Sequence, residues 1–250
     1  MKHGDFTELA DNYSKYRPGY APFVVSAIMS LLPKAPKVAD VGAGTGIWSR
    51  MLADAGAMVT AVEPNDAMRQ AGMHKGSHDI LWKAGSAEET NLPSGEFAMV
   101  SMASSFHWTD FEQAMREFSR ILAPGGYFLA LWNTRRYETN PLLVDIENRM
   151  RELAPDMKRV SSGRSAFCSE LADRLRRTDA VADVLYLEGQ HTEMQSPEHY
   201  LGLWESVNDV RVQMGAETFA AFLDYIREKT KTLNTINADY TTRAWLAKMI

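Results

Sequence analysis

Apolar residues in this chain fall into short runs that alternate with stretches of helical repeat. Residues 38–41 form the first run, short enough for one buried strand, and residues 58–62, 97–102 and 127–132 repeat the pattern. A shorter strand within residues 80–89 runs into Gly85-Ser86-Ala87-Glu88. Between these runs the spacing becomes helical. Phe111, Ala114, Met115, Phe118, Ile121 and Leu122 recur three or four apart, and residues 47–53, 67–73, 141–153 and 166–177 also suit helices. An earlier apolar helix over residues 23–32 is bounded by Pro22 and Pro33, and Pro124-Gly125-Gly126 stops the helix that begins near Asp110. Either Thr109 or Asp110 caps that helix, and either Asn65 or Asp66 caps the one at 67–73. Residues 181–187 read as a sheet-edge strand that 191–194 continues, residues 197–207 and 216–232 as helices, and 238–248, by alternation, as a final antiparallel strand. Strand–helix alternation predicts an α/β fold around a parallel sheet.

Composition and charge narrow the function classes. The chain has 250 residues, 45% hydrophobic and 24% charged, which suits a soluble globular protein. Its net charge of -5 speaks against a nucleic-acid partner, which asks for a basic face. No apolar run approaches the roughly 18 residues of a membrane span, so no membrane partner is expected. The first residues lack an apolar signal core, and the single cysteine, Cys168, has no internal partner and no activating base near it in sequence. A cytoplasmic location is therefore expected. Six scattered histidines predict no metal site.

The candidate chemistry gathers where the first strand ends. After Asp40 and Val41 come Gly42, Gly44 and Gly46 at alternate positions, and then a helix-forming segment opens. A strand that turns at once into a helix needs glycine, which tolerates positive φ and admits a ligand against the backbone. The helix start offers free N–H groups and positive charge, the construction of a nucleotide-type cofactor site. The dinucleotide fingerprint places its third glycine at the sixth position, where this chain has Ile47. Asp40 at the strand tip would repel a pyrophosphate and suits a ligand with cationic groups. Glu63 follows Gly42 at about the 20-residue distance where an acid meets a ribose.

Asp-x-Gly-x-Gly-x-Gly resembles the first motif of the class I S-adenosylmethionine-dependent methyltransferases. Gly85-Ser86-Ala87-Glu88 is similar to that family's adenine-edge motif, with Ser86 where many members carry Asp. Phe106-His107-Trp108 and Trp132-Asn133-x-Arg135 look like sequences of a small-molecule branch typified by trans-aconitate methyltransferases. The resemblance implies a Rossmann-like, seven-stranded, mostly parallel sheet with helices on both faces and a helical cap over an acceptor pocket. It implies S-adenosylmethionine as cofactor and S-adenosylhomocysteine as its product, held by Asp40, Gly42, Ala43, Gly44, Glu63, Pro64, Ser86, Ala87, Glu88 and Ser104. Tyr13 and Arg17, in the Tyr-x-x-Tyr-Arg-Pro-Gly-Tyr cluster, would form a lid whose arginine takes the methionine carboxylate. An aromatic turn on the surface is the structural alternative.

The same resemblance makes His107 a general base or a substrate-orienting group. It sets Tyr20, His107, Trp108, Asn133 and Arg135 or Arg136 beside a small-molecule acceptor; the structural alternatives are a strand-end histidine bonded to backbone, a tryptophan in the core and a solvated arginine pair. Tyr200, Trp204 and Met214 would line the pocket or simply pack the core. The expected division is a single domain over 1–250: an N-terminal lid and helix (1–36), a cofactor-binding half (37–135), a mostly helical cap with an edge strand (136–235) and a final strand (236–250). The implied reaction is methyl transfer to an O or N atom of a small, acidic or biosynthetic-intermediate acceptor by a monomer or homodimer. An NAD-linked oxidoreductase and a cofactor-binding protein without turnover are the alternatives.

Overall fold

The computed structural model describes residues 10–76, 79–158 and 163–250. Its strands are β1 (Lys37–Val41), β2 (Met58–Val62), β3 (Leu81–Lys83), β4 (Phe97–Ala103), β5 (Leu122–Arg135), β6 (Val181–Gln195) and β7 (Ile236–Met249). They form one sheet in the order β3-β2-β1-β4-β5-β7-β6. The first five strands pair in parallel, and β7 runs antiparallel to both of its neighbours. The chain builds outward from β1 in one direction through β2 and β3, then returns to place β4 on the other side. That reversal opens a crevice beyond the carboxyl ends of β1 and β4.

The central strands are apolar on both faces because both faces are covered. Ala39, Val41, Val100, Phe128 and Ala130 pack against α5 (Phe111–Ile121) and α7 (Ala166–Arg176). Alternate residues Val38, Met99, Leu129 and Leu131 pack against α2 (Pro22–Met29) and α3 (Ile47–Asp54) on the opposite face. The helical repeat of α5 is thus the imprint of one sheet face, and Asp110, whose carboxylate accepts from the Gln113 N–H at 2.9 Å, fixes its start. Asn65 does the same for α4 (Asp66–His74), accepting from Met68 N at 3.1 Å. A third cluster joins α6 (Pro141–Leu153), α8 (Pro197–Glu205) and α9 (Asn208–Thr230) through Leu143, Ile146, Tyr200, Trp204 and Phe222. No described helix is long and apolar enough to cross a membrane.

Several elements differ from the periodicity reading. Residues Ala10–Tyr16 form a helix, α1, although they carry no apolar repeat; its contacts are with α8 and α4 instead of the main core. The helix expected over 216–232 is present to Thr230, but a further helical segment from Asn208 precedes it, divided from it by Gly215 with φ of 72°. β5 begins at Leu122, so Pro124-Gly125-Gly126 lies inside the strand, at a register irregularity between Phe97 and Met99 of β4. Residues 1–9 of the expected lid and 159–162 of the polar loop before α7 lie outside the described residues.

Candidate cofactor and acceptor site

Gly42, Gly44 and Gly46 have φ of 65°, 57° and 77°. Each therefore adopts a conformation that side-chain-bearing residues avoid. Gly42 N and Ala43 N donate to Val62 O at 2.9 and 3.1 Å, tying the turn to β2. A Cβ on Gly42 would lie 2.7 Å from Ser105 Oγ, and one on Gly46 2.8 Å from the Trp82 ring. Gly44 is the open position: a Cβ there would meet only Met68 Cε at 3.4 Å and the Tyr13 ring at 4.0 Å. The gap between turn and tyrosine belongs to a cavity.

Two adjoining cavities share Tyr13, Gly42, Gly44, Ala103 and Ser104. The first, about 390 Å³, runs over the ends of β1 to β4 and is walled by Glu63, Pro64, Met68, Ser86, Ala87, Glu88 and Trp108. Glu63 is nearly buried at 7% exposure; its Oε2 accepts from Gly44 N and its Oε1 from Asn65 N, each at 2.8 Å. Burial pushes its pKa up while those two N–H donors pull it back. Ser86 Oγ accepts from the N–H groups of Glu88 and Glu89, both at 3.2 Å, and so shapes the loop. Glu88 Oε1 accepts from Asp110 N at 2.9 Å. Among the described residues no lysine or arginine lines this cavity, while two carboxylates do.

The second cavity, about 290 Å³, lies under α6 and α8 and has the opposite charge. Arg17, Arg135, Arg151 and Arg164 line it, with Glu147 the single acid among its described lining residues. Arg135 Nη1 donates to Glu147 Oε1 at 3.2 Å, and its guanidinium lies 4.3 Å from the Trp204 ring centroid and 5.9 Å from that of Tyr200. Its Nε and Thr134 Oγ1 are buried without a partner among the described residues. Tyr20 OH and Ser104 Oγ share a hydrogen bond of 3.1 Å at the junction of the cavities. Ser104 itself takes φ of 58°, a left-handed corner that turns the chain into the crevice as it leaves β4.

Several expected site residues stand elsewhere. Asp40 is fully buried and lines neither cavity. Its carboxylate accepts from Ser49 Oγ at 2.5 Å and Ser101 Oγ at 3.1 Å, and Trp48 Nε1 donates to that second hydroxyl at 3.1 Å. Asp40 thus pins α3 to β1 and β4 beneath the turn instead of facing a ligand. Burial pushes its pKa up to about 7 against the two serine hydroxyls. The unfolded value near 3.9 lies lower. The native state therefore holds the extra proton between about pH 4 and 7, and this contribution to stability is lost as pH rises through that window. Asp40→Asn is expected to flatten the decline in Tm between pH 5 and 8; an unchanged slope contradicts this.

His107 also lines neither cavity. It sits in a 3₁₀ turn, Phe106–Trp108, where its Nδ1 accepts from Trp132 Nε1 at 3.3 Å and its Nε2 is buried with no partner among the described residues. Burial lowers its pKa to about 4. The imidazole is neutral and weakly basic, and although part-exposed it lines neither of the two cavities, so the structure does not bring it to the expected acceptor side. The same turn sends Trp108 to the Glu63 cavity, not to the acceptor side. Tyr200 and Trp204 are fully buried behind Arg135 and hold it, and Met214 packs in the cap core. Asn133 lines the second cavity, but its side chain is engaged: Nδ2 donates to Gly19 O at 2.6 Å and Oδ1 accepts from Thr242 Oγ1 at 2.7 Å. Of the two candidate arginines, Arg135 points in, while Arg136 turns out to Gln190 Oε1 at 2.6 Å. Glu147, Arg151, Arg164 and Tyr240 were not among the expected residues; they come from the cap and β7, whose pattern signals only packing.

Comparison with known proteins agrees with this architecture. The family model for a methyltransferase domain matches residues 39–130, from β1 into β5. An uncharacterised methyltransferase of Mycobacterium tuberculosis H37Rv is 37% identical over 124 residues, 49% of this chain and 49% of that protein. Residues 39–130 are thus similar to a methyltransferase domain. A methyltransferase-like protein of Schizosaccharomyces pombe is 32% identical over 155 residues, covering 60% of this chain and 59% of its own. The match thus spans about half the length of the first of these curated relatives. A solved structure from Anaeromyxobacter dehalogenans, described as a candidate type II methyltransferase, has the same fold at 22% identity and a TM-score of 0.69, covering 93% of this chain and 98% of its own. These matches show a methyltransferase-like domain over residues 39–130 and the sheet; they assign no branch, the trans-aconitate branch included.

Proposed function

We propose that this methyltransferase transfers a methyl group from S-adenosylmethionine to a carboxylate oxygen of a small acidic acceptor, without a general base. The observation that carries this reading is the division of charge between the two cavities. The Glu63 cavity offers carboxylates and no described cation, which suits an adenosine with its diol and opposes a pyrophosphate, the ligand an NAD-linked enzyme would need. The residues present fit the cofactor. Glu63 would accept from the ribose hydroxyls, Ala87 and the Ser86 and Glu88 loop would edge the adenine, and Pro64 and Met68 would pack on it. Ala43, Gly44 and Ser104 would meet the methionine portion, with Tyr13 across the gap and Arg17 placed for its carboxylate. When bound, S-adenosylmethionine supplies an electrophilic methyl on a sulfonium and leaves as S-adenosylhomocysteine.

With Arg17 and the glycine turn at one end of the arginine-lined cavity taken by the methionine portion, its Arg135 end would take the acceptor. Arg135 is held rigid by Glu147 and Trp204, and its Nε, with Thr134 Oγ1, leaves donors to be satisfied. Tyr20, whose hydroxyl bonds Ser104 Oγ at the junction, has its pKa pushed up by burial. Glu147 is already paired, and no histidine is among the described residues that line the cavity. A carboxylate acceptor arrives ionised and asks for no proton removal. The chain's work is then placement, which can supply on the order of 7–11 kcal/mol. Turnover is expected to stay flat from pH 6 to 9, and His107→Gln is expected to change kcat by less than about threefold. A titration near neutrality, or the 10²–10⁴-fold loss expected on removing a base, contradicts the mechanism.

A further inference from the structure

α1 and α8 each present two faces, and the pair of helices links the cofactor side of the crevice to the acceptor side. Tyr13 on α1 and Arg17 just past its end, whose N–H donates to Tyr13 O at 3.3 Å, both face the cavities. Asn12 and Tyr16, four apart, face α8. Tyr16 OH donates to Glu198 Oε1 at 3.1 Å, Asn12 Nδ2 to Glu205 Oε2 at 3.2 Å, and His199 Nε2 donates to Tyr16 O at 3.1 Å. The acceptors and donor on α8 (Glu198, His199 and Glu205) share a stripe with Gly202. The other side of α8 presents Tyr200 and Trp204 to Arg135.

Gly202 is the centre of the first stripe. It lies inside a helix with no positive φ to explain it. A Cβ there would fall 2.3, 2.4 and 2.7 Å from three carbons of the Tyr16 ring. Glycine is a poor helix former, and alanine at this position would favour the helix. What it provides is a notch: the ring lies directly on the α8 backbone and is only 8% exposed. On its other side α1 reaches α4, through Lys75 Nζ to Ser14 O. The short helix therefore spans the crevice mouth from α4 to α8.

We propose that Gly202 and Tyr16 are positioning residues for the cofactor: the ring seated in the notch holds α1 across the crevice with Tyr13 and Arg17 over the glycine turn. This rests on the cofactor reading above. The test is calorimetric titration of the full chain with S-adenosylhomocysteine, in the wild type, Gly202→Ala, Tyr16→Ala, Tyr16→Phe and the Gly202→Ala/Tyr16→Ala double variant. Gly202→Ala should weaken binding at least tenfold; alanine suits the helix, but that gain offsets only part of the lost burial of the ring, so Tm falls modestly. Tyr16→Ala should lose a similar factor. Tyr16→Phe, which keeps the seat, should stay within about threefold of wild type. The double variant should be no worse than the weaker single, since one contact can be lost only once.

Wild-type affinity in Gly202→Ala, or single losses that multiply in the double variant, would overturn the proposal. Amide hydrogen exchange over residues 10–17 separates this from failure of the cofactor reading. Absence of heat in the wild type overturns the cofactor role and the reading beneath it, even where Gly202→Ala strips α1 of its protection. Heat in the wild type with unchanged protection and affinity in the variant overturns the notch alone.

Discussion

Replacing Glu63 with alanine is expected to raise the Kd for S-adenosylhomocysteine about a hundredfold. The carboxylate sits at the end of β2 with its oxygens fixed by the backbone N–H groups of Gly44 and Asn65. It stands ready to accept from two adjacent hydroxyls. A hydrogen bond to a charged group contributes about 1.5–3 kcal/mol, so losing the pair costs roughly 3 kcal/mol net, or about two decades of affinity. Glu63→Gln keeps one carbonyl acceptor in nearly the same volume and is expected to lose about tenfold. Binding within threefold of wild type in Glu63→Ala would show that no ribose meets this residue. The alanine variant also leaves two backbone N–H groups short of an acceptor, so a modest fall in Tm accompanies the loss.

Arg135→Leu is expected to abolish measurable methyl transfer and to destabilise the fold together. Arg135 and Glu147 are both nearly buried, with side-chain exposures of 12% and 6%, and each neutralises the other. Removing one partner of a buried pair leaves an uncompensated charge at a cost of about 3–5 kcal/mol. In a chain of this size that lowers Tm by roughly 6–20 °C. The double variant Arg135→Leu/Glu147→Gln removes both charges and should regain most of the lost Tm. It should not regain activity, because the acceptor's anchor is still missing. Thermal melts and kcat/KM on both variants check this. Recovery of turnover in the double variant would make Arg135 a structural residue only.

The parts of this fold that could be read in the sequence are those with local causes. The glycine turn was legible because its positive φ angles demand glycine whatever surrounds them. The caps at Asn65 and Asp110 and the apolar face of α5 were legible for the same reason. Asp40 was correctly placed at a strand end but wrongly aimed. Its direction depends on Ser49 and Ser101, the latter some sixty residues away on β4. His107 stood at the expected strand end too, yet the 3₁₀ turn rotates it under Trp132 and sends its neighbour Trp108 to the other cavity. The choice between Arg135 and Arg136 is one of alternation along β5, visible only once the strand is known to run to residue 135. α1 was invisible because its partner, α8, lies about 180 residues away, and Gly202 gives no sign of itself until a ring lies on it.

The most direct test of the central claim is transfer of labelled methyl from S-adenosylmethionine to a panel of small mono-, di- and tricarboxylates, with amines and phenols of matched size alongside. The charge division predicts label in a base-labile methyl ester of at least one carboxylate, and none in the amines or phenols. Label that appears only on amine or phenol acceptors, or in a product stable to mild base, would contradict it.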